Sequence, residues 1–369
     1  MGKGNCYPSE SMYFHDRRTH ARIRQVTNHP SIHHHPFFMI PAYGEDMKAL
    51  FFISHRTGSP QIFAEQRSMG KLLQLTDRDD LAEWSIHPSF NGSHVYFTAG
   101  TGCWRIDTAT LEEEMLVDLG QVQMREGGMI AAGMGTTALS RDNRWWAVRY
   151  TEGGLACLAV IDTVTGYMDT ILRRDEISHM QFCPDDANLL FYAGPLHDRV
   201  WVIHRDGSGN RRLYERDAAN KEWITHETWI PGTHELAFVD WQRGIRSVHA
   251  DTREVRQVTT FNAWHAVCNR EGTLMVADTN FHDIGLQLFD PLDRIGAPSL
   301  LCYPDATNRG DHWGGPFPYD NGPIPVYAPQ HTHPHPSFSA DGHFIVYTSD
   351  ASGYAQVYEI DLRGCAHSL

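Results

Sequence analysis

Cysteine is scarce in this sequence and never arranged to brace a fold. The seven present (Cys6, Cys103, Cys157, Cys183, Cys268, Cys302 and Cys365) are odd in number, scattered, and free of any CxxC pair. That argues against a disulfide framework and for reduced thiols in a cytoplasmic protein. Long apolar runs are missing as well. LACLAVI, Leu155 to Ile161, is among the longest, far short of the roughly 18 residues a membrane helix requires. The opening MGKGNCYPSESMYF lacks the apolar stretch of a secretory signal. Positive charge is in deficit: 31 Lys and Arg against 45 Asp and Glu give a formal net charge of −14. Nucleic acid is an unexpected partner on that balance, because duplex binding draws on Lys and Arg at phosphates. Helical periodicity sustained over ten or more residues is also nearly absent.

What is present is a large apolar inventory, 41% of residues with 11% aromatic, which excludes intrinsic disorder. It is distributed with a period. Seven segments, beginning at Met47, Ser93, Asn143, Ala187, His234, Gly272 and Gly342, each run strand, turn, strand, acidic residue, strand. The acidic residue falls at Glu65, Asp107, Asp162, Asp206, Asp251, Asp290 and Asp361, at intervals of 42, 55, 44, 45, 39 and 71. All but the last sit near the period of roughly 40–50 residues typical of propeller blades. An Asp before a turn such as DTVTG accepts backbone N–H bonds and nucleates the reversal. Short runs rich in Val, Ile, Phe, Tyr and Trp, punctuated by Gly and Asp, suit antiparallel strands. The expectation is an all-β, seven-bladed β-propeller forming one domain over residues 1–369.

Ring closure can be read independently. Most units end in a terminal strand, such as LLQLT (Leu72 to Thr76) or VRQVT (Val255 to Thr259), but the last stops at RGCAHSL. The N-terminus supplies IRQVT (Ile23 to Thr27), almost a copy of VRQVT. That strand is expected to complete the C-terminal blade and leave no open sheet edge. The 71-residue interval contains an insertion from about Ser299 to Pro336, and long irregular loops of that kind are more often functional than decorative.

The insertion ends in histidine, the residue this chain has in excess. There are 23, or one in 16. In QHTHPHPSF, Gln330 to Phe338, His333 and His335 are two apart and share one side of an extended segment, where they could hold one ion. Pro334 and Pro336 keep the stretch out of a central strand. His335, His265 (in AWHAV), His226 (WITHETW), His179 (ISHMQF) and His87 (SIHPSF) each stand at the start of the innermost strand of a unit. Five such positions on a ring could converge on its axis. His33 to His35 precede the first unit and could reach the same end. The further candidate substrate contacts are His33, His87 and His179.

These motifs carry a resemblance. QxxHPHPSF before a blade, with THExWxP and WH…NxxGTLxVxD upstream, is similar to the oligogalacturonate lyases, cytoplasmic seven-bladed propellers that degrade pectin. The likeness runs from near Ile23 to Ile360. It implies a divalent ion, manganese in that family, held by His265, Gln330, His333 and His335. It also implies His226 as general base and Arg199, in DRVW, as the arginine that binds the substrate carboxylate. The segment Asp311 to Pro329 departs from the family pattern, as does the shorter region around Leu196 to Arg199.

The residue chemistry agrees with that resemblance. Splitting a 4-linked uronide by β-elimination removes C5–H, a weakly acidic proton α to a carboxylate. A cation on the carboxylate and a base near neutrality are the two requirements. Three imidazoles and an amide leave a bound ion close to its full charge, and an arginine adds a planar donor fork. The implied activity is cleavage of short oligogalacturonides, small acidic sugars, to a 4,5-unsaturated uronate. Two rival readings are the same elimination on another uronate-containing disaccharide and a non-catalytic TolB-like propeller that binds partners. The propeller half of a prolyl peptidase is ruled out, since no GxSxG elbow follows the seventh unit.

Overall fold

The computed structural model describes residues 2–120, 136–279, 282–292, 297–306 and 333–364. Gln330, the segment 311–329 and Cys365 lie outside the described residues. Seven antiparallel sheets follow one another along the chain, each a meander of four strands with two carrying a fifth. Numbered in chain order as blades 1 to 7, their inner strands are His33–His34, His87–Pro88, Ala138–Leu139, Ser178–Cys183, Ile224–Ile230, Ala263–Cys268 and Ser337–Phe338. Among the described residues, helix is confined to single turns such as Glu83–Ser85 and Leu362–Gly364. None is long and apolar enough to cross a membrane.

Alternation along the second and third strands of each blade puts apolar side chains on both faces, and neighbouring blades bury them against each other. One such core lies between blades 1 and 2 (Phe51, Ile53, Val95, Phe97), another between 2 and 3 (Tyr96, Trp146, Val148). The series continues through blades 3 to 7. It returns to its start where Val346 and Val357 of blade 7 pack on Leu50, Phe52 and Phe63 of blade 1. Each fully buried large side chain contributes about 1.5–3 kcal/mol, so the ring is held mainly by a core repeated between blades.

The N-terminus closes the ring. Arg22–Gln25 pairs with Gln356–Asp361 of blade 7, Ile23 opposite Ile360 and Arg24 opposite Glu359. Val26 N–H continues the ladder onto Val357 C=O at 2.8 Å. Two further strands were not legible in the sequence. Met12–His15 forms the outer edge of blade 7, and Cys6–Tyr7 adds a fifth strand to blade 1. One N-terminal segment therefore spans the seam on both sides.

The acidic residues closing the second run mostly act as expected. Asp107 and Asp162 each accept two backbone N–H bonds from the turn that follows. Asp206, Asp290 and Asp361 accept one each. Asp251 and Glu65 are the exceptions. The turn at Asp251 is received by His249 Nδ1, while the Asp251 carboxylate faces His234. Glu65 belongs to a buried network. It is fully buried and takes the Arg24 guanidinium at 2.9 Å, while Glu359 accepts from Arg24 at 2.7 Å, Arg67 at 2.6 Å and the Tyr43 hydroxyl at 3.0 Å. This network ties blade 7 to blade 1, and breaking a buried pair of this kind leaves an uncompensated charge.

Candidate active site

Three consecutive inner strands share one irregularity. In blade 4 the pairing passes from Ser178–Ala193 to Gln181–Phe191, in blade 5 from Thr225–Val239 to Thr228–Ala237, and in blade 6 from Ala263–Thr279 to Ala266–Ala277. Each is a β-bulge, one extra residue on the inner strand, which bends the strand and re-aims its side chains. The bulges contain His179, His226 and His265. His179 and His226 occupy the first bulge position, with φ of 48° and 51°; His265 occupies the second. His335, just ahead of the inner strand of blade 7, also has positive φ, at 26°. Left-handed backbone at a non-glycine costs of order 1 kcal/mol or more and persists where the surroundings hold it.

The bulges bring these imidazoles together. Ring centroids run from His179 to His226 at 6.1 Å, from His226 to His265 at 4.2 Å, and from His265 to His333 and His335 at 6.0 and 5.9 Å. His35 extends the chain, 4.5 Å from His335. Asp278 organises the centre. Its carboxylate faces His265 Nδ1 at 2.9 Å and accepts the backbone N–H of His265 at 2.6 Å and of His335 at 3.0 Å. With Nδ1 fixed by the carboxylate, Nε2 of His265 carries the lone pair, which is the usual arrangement behind a metal-binding imidazole. His179 Nε2, His226 Nδ1, His265 Nε2 and His335 Nε2 are all buried without a hydrogen-bond partner in the structure. A buried, unsatisfied polar atom costs about 1–3 kcal/mol, so four at one place indicate a site built for a ligand. His265, His333 and His335 fit a divalent ion on this geometry; Gln330, the fourth expected ligand, lies outside the described residues.

Arg199 is largely enclosed, with 10% of its side chain exposed, and its partner is Glu227. Its Nε and Nη2 donate to Glu227 at 2.6 and 3.2 Å, and Nη2 also lies 3.3 Å from His179 Nδ1. Asp198 pairs instead with Arg174 and Arg212, and Glu215 with Arg212. Glu227 follows His226 directly in the chain yet serves the arginine. Burial, the neighbouring His265 and His179 rings and the Arg199 guanidinium together hold His226 well below the ordinary imidazole value. Burial and Arg199 do the same to His179. Both are neutral at pH 7 in consequence.

Two expected contacts stand elsewhere. His33 is buried in blade 1, its Nδ1 at 3.0 Å from Ser31 C=O and its Nε2 at 3.2 Å from Arg56; His35 takes the place expected of it. Phe37 and Phe38 explain the position of His87. Phe37 lies 5.7 Å from His179 and His265, and Phe38 lies 5.0 Å from His265, so the pair plugs the axis beneath the imidazoles. Beyond the plug is a cavity of about 200 Å³ lined by the later residues of the same inner strands, among them Gln181, Trp229 and Cys268. His87 lines that cavity, with Nδ1 on Pro88 C=O at 2.9 Å. Bulged inner strands and the Phe37–Phe38 plug carry no signal in the periodicity. Asp278 did have one, as the last residue of WH…NxxGTLxVxD.

A closed ring of seven four- or five-stranded sheets with a buried imidazole cluster at one end of its axis defines a seven-bladed β-propeller with an axial ligand site. Residues 1–365 match the family described as oligogalacturonate lyase. An oligogalacturonide lyase of Pectobacterium atrosepticum is 26% identical over 385 residues, spanning 97% of each chain. An oligogalacturonate lyase of Dickeya dadantii is 26% identical over 383 residues, again 97% of each. The solved structure of an oligogalacturonate lyase in complex with manganese has the same fold, with a TM-score of 0.82 at 24% identity over 98% of both chains. The chain belongs to the oligogalacturonate lyase family, and it is a lyase.

Proposed function

We propose that this lyase cleaves short oligogalacturonides such as digalacturonate by β-elimination, in the cytoplasm, giving a 4,5-unsaturated uronate. The observation that carries the reading is the cluster of buried imidazole nitrogens without partners around Asp278. His265, His333, His335 and Gln330 would hold a divalent ion, manganese by analogy with the relative, which would supply positive charge beside the substrate carboxylate and so acidify the proton α to it. Imidazole ligands would suit zinc, nickel or iron by affinity order equally well.

His226, neutral and 4.2 Å ring to ring from His265, takes the C5 proton. The released electron pair becomes the C4–C5 double bond, the C4–O bond breaks, and the departing oxygen is protonated from solvent. Arg199 binds the substrate carboxylate. Pinned by Glu227 through Nε and Nη2, it has Nη1 as the remaining donor. At 4 Å and an effective dielectric of 20 a charge pair is worth about 4 kcal/mol, and Glu227 reduces the share a substrate receives. Arg199 therefore contributes orientation more than charge. The Phe37–Phe38 plug excludes water from beneath the imidazoles, which strengthens every polar contact above it.

The test is incubation with saturated and unsaturated galacturonides, following the ultraviolet absorbance of the new double bond. Rising absorbance that needs the divalent ion is the expected result. If glucuronides react while digalacturonate is inert, the substrate is a different uronate, as the departure of Asp311 to Pro329 from the family pattern would allow. If no uronate reacts, the reading fails.

A further inference from the structure

A second group of ligating side chains lies beside the imidazole cluster and takes no part in the proposed reaction. His34 is on the inner strand of blade 1, His55 follows its second strand (Ala49–Ser54), and Glu83 begins the turn leading into blade 2. One ligand atom from each lies within 4.8 Å of the others. His34 Nε2 is 3.4 Å and His55 Nε2 2.7 Å from the same oxygen, Oε2 of Glu83.

The hydrogen bonding of His34 makes this contact unusual. Its Nδ1 faces the His35 carbonyl at 3.0 Å, and a carbonyl can only accept, so Nδ1 carries the proton. In a neutral ring Nε2 then presents a lone pair, and it is aimed at a carboxylate oxygen. Two acceptors oppose each other unless a cation lies between them, either a proton on Nε2 or a metal ion that takes its place. Ligands around a tetrahedral first-row ion with bonds of about 2.0–2.1 Å are about 3.3 Å apart, close to the 3.4 Å between His34 and Glu83, whereas the 2.7 Å between His55 and Glu83 is a hydrogen bond that an ion would have to open. The His34 ring is also held in place, stacked on Trp84 at 4.0 Å and 22°. Burial pushes the Glu83 carboxyl up, but the His34 and His55 contacts outweigh it and hold the group below the usual carboxylate range. The carboxylate is thus ionised, as a ligand must be. Side-chain exposure of 25% at His55 and 21% at Glu83 leaves a path for an ion to enter.

We propose that His34, His55 and Glu83 form a second metal site, for a first-row transition dication such as Zn²⁺ or Co²⁺. Two imidazoles with one carboxylate favour such ions over magnesium or calcium. Three protein ligands of net charge −1 leave the ion at +1 with an open position for water or an anionic group. The site stands independently of the proposed uronate chemistry. It nevertheless borders the same end of the axis, because Trp84 also packs against His335, 5.8 Å away, and Phe37, 6.2 Å away.

Chelator-stripped, full-length protein equilibrated with Zn²⁺ and dialysed, then analysed for metal per chain, tests the assignment. His55→Ala and the near-isosteric Glu83→Gln should each bind one ion fewer than wild type. His265→Ala, which addresses the axial site, should keep the ion at His34, His55 and Glu83. Loss of one ion in Glu83→Gln but none in His265→Ala would support the second site while counting against the axial one. Unchanged zinc content in folded Glu83→Gln would overturn the proposal, whatever His55→Ala does.

Discussion

The inner strands of blades 4 to 6 and those of blades 1, 2, 3 and 7 differ in kind. The first group are six or seven residues long and bulged at the same point; the second are two-residue strands paired in unbroken register. Both groups line one axis and both contain histidine. In the plain strands the ladder decides where the side chain goes, so His33 and His87 turn into ordinary packing with backbone carbonyl partners. In the bulged strands one extra residue breaks the alternation and releases His179, His226 and His265 toward the axis. The comparison teaches that blades 4 to 6 place their axial imidazoles by local exceptions to sheet regularity, while the regular strands supply the scaffold and, at His34, one edge of the second candidate site.

The sharpest break would come from His226→Ala. Removing a general base typically costs 10²–10⁴-fold, so turnover should fall by about that factor while metal content stays at the wild-type level. Turnover within a few-fold of wild type would take the base assignment away from the bulge of blade 5. Asp278→Asn comes next. It leaves an acceptor for one backbone N–H but withdraws the carboxylate that fixes His265, and partners of this kind typically matter by about 10–100-fold in metal affinity. Isothermal titration against Mn²⁺ reads that loss, and unchanged affinity would mean the axial imidazoles do not hold the ion.

The smallest effect belongs to a plain blade. Burial lowers His87 from 6.5 to about 4, so the unfolded chain takes up this proton before the folded one does. Stability is unaffected by His87 above about pH 6.5 and is lost as pH falls from there toward about 4, at about 1.4 kcal/mol per pH unit. Urea midpoints should therefore fall less steeply on acidification for His87→Gln than for wild type. Parallel curves would mean that His87 is not the buried neutral group the cavity makes it.

Much of this is legible in the order of residues along the chain. The blade period, the near-repeat of VRQVT at Ile23 and the QxxHPHPSF and THExW strings led to the ring, its closing strand and the set of axial histidines. Reading failed where two distant segments had to meet. His33 and His35 are equivalent on paper, and only the path of the chain across the axis through Phe37 and Phe38 separates them. The partner of Arg199 is Glu227, one blade away, and no spacing in the sequence links the two. Glu83 and His55 sit in no motif, and the space they share with His34 exists only because blades 1 and 2 adjoin.

Sequence by itself determined what depends on order along the chain: strand periodicity, turn acids such as Asp107 and Asp162, and the number of blades. These follow from alternation and local hydrogen bonding, which act over a few residues. Tertiary structure decided which of 23 histidines face the axis, which are held neutral by burial, and which carboxylate serves which base. Those depend on bulges that neighbouring strands impose and on desolvation by side chains hundreds of residues apart, and neither is encoded in spacing.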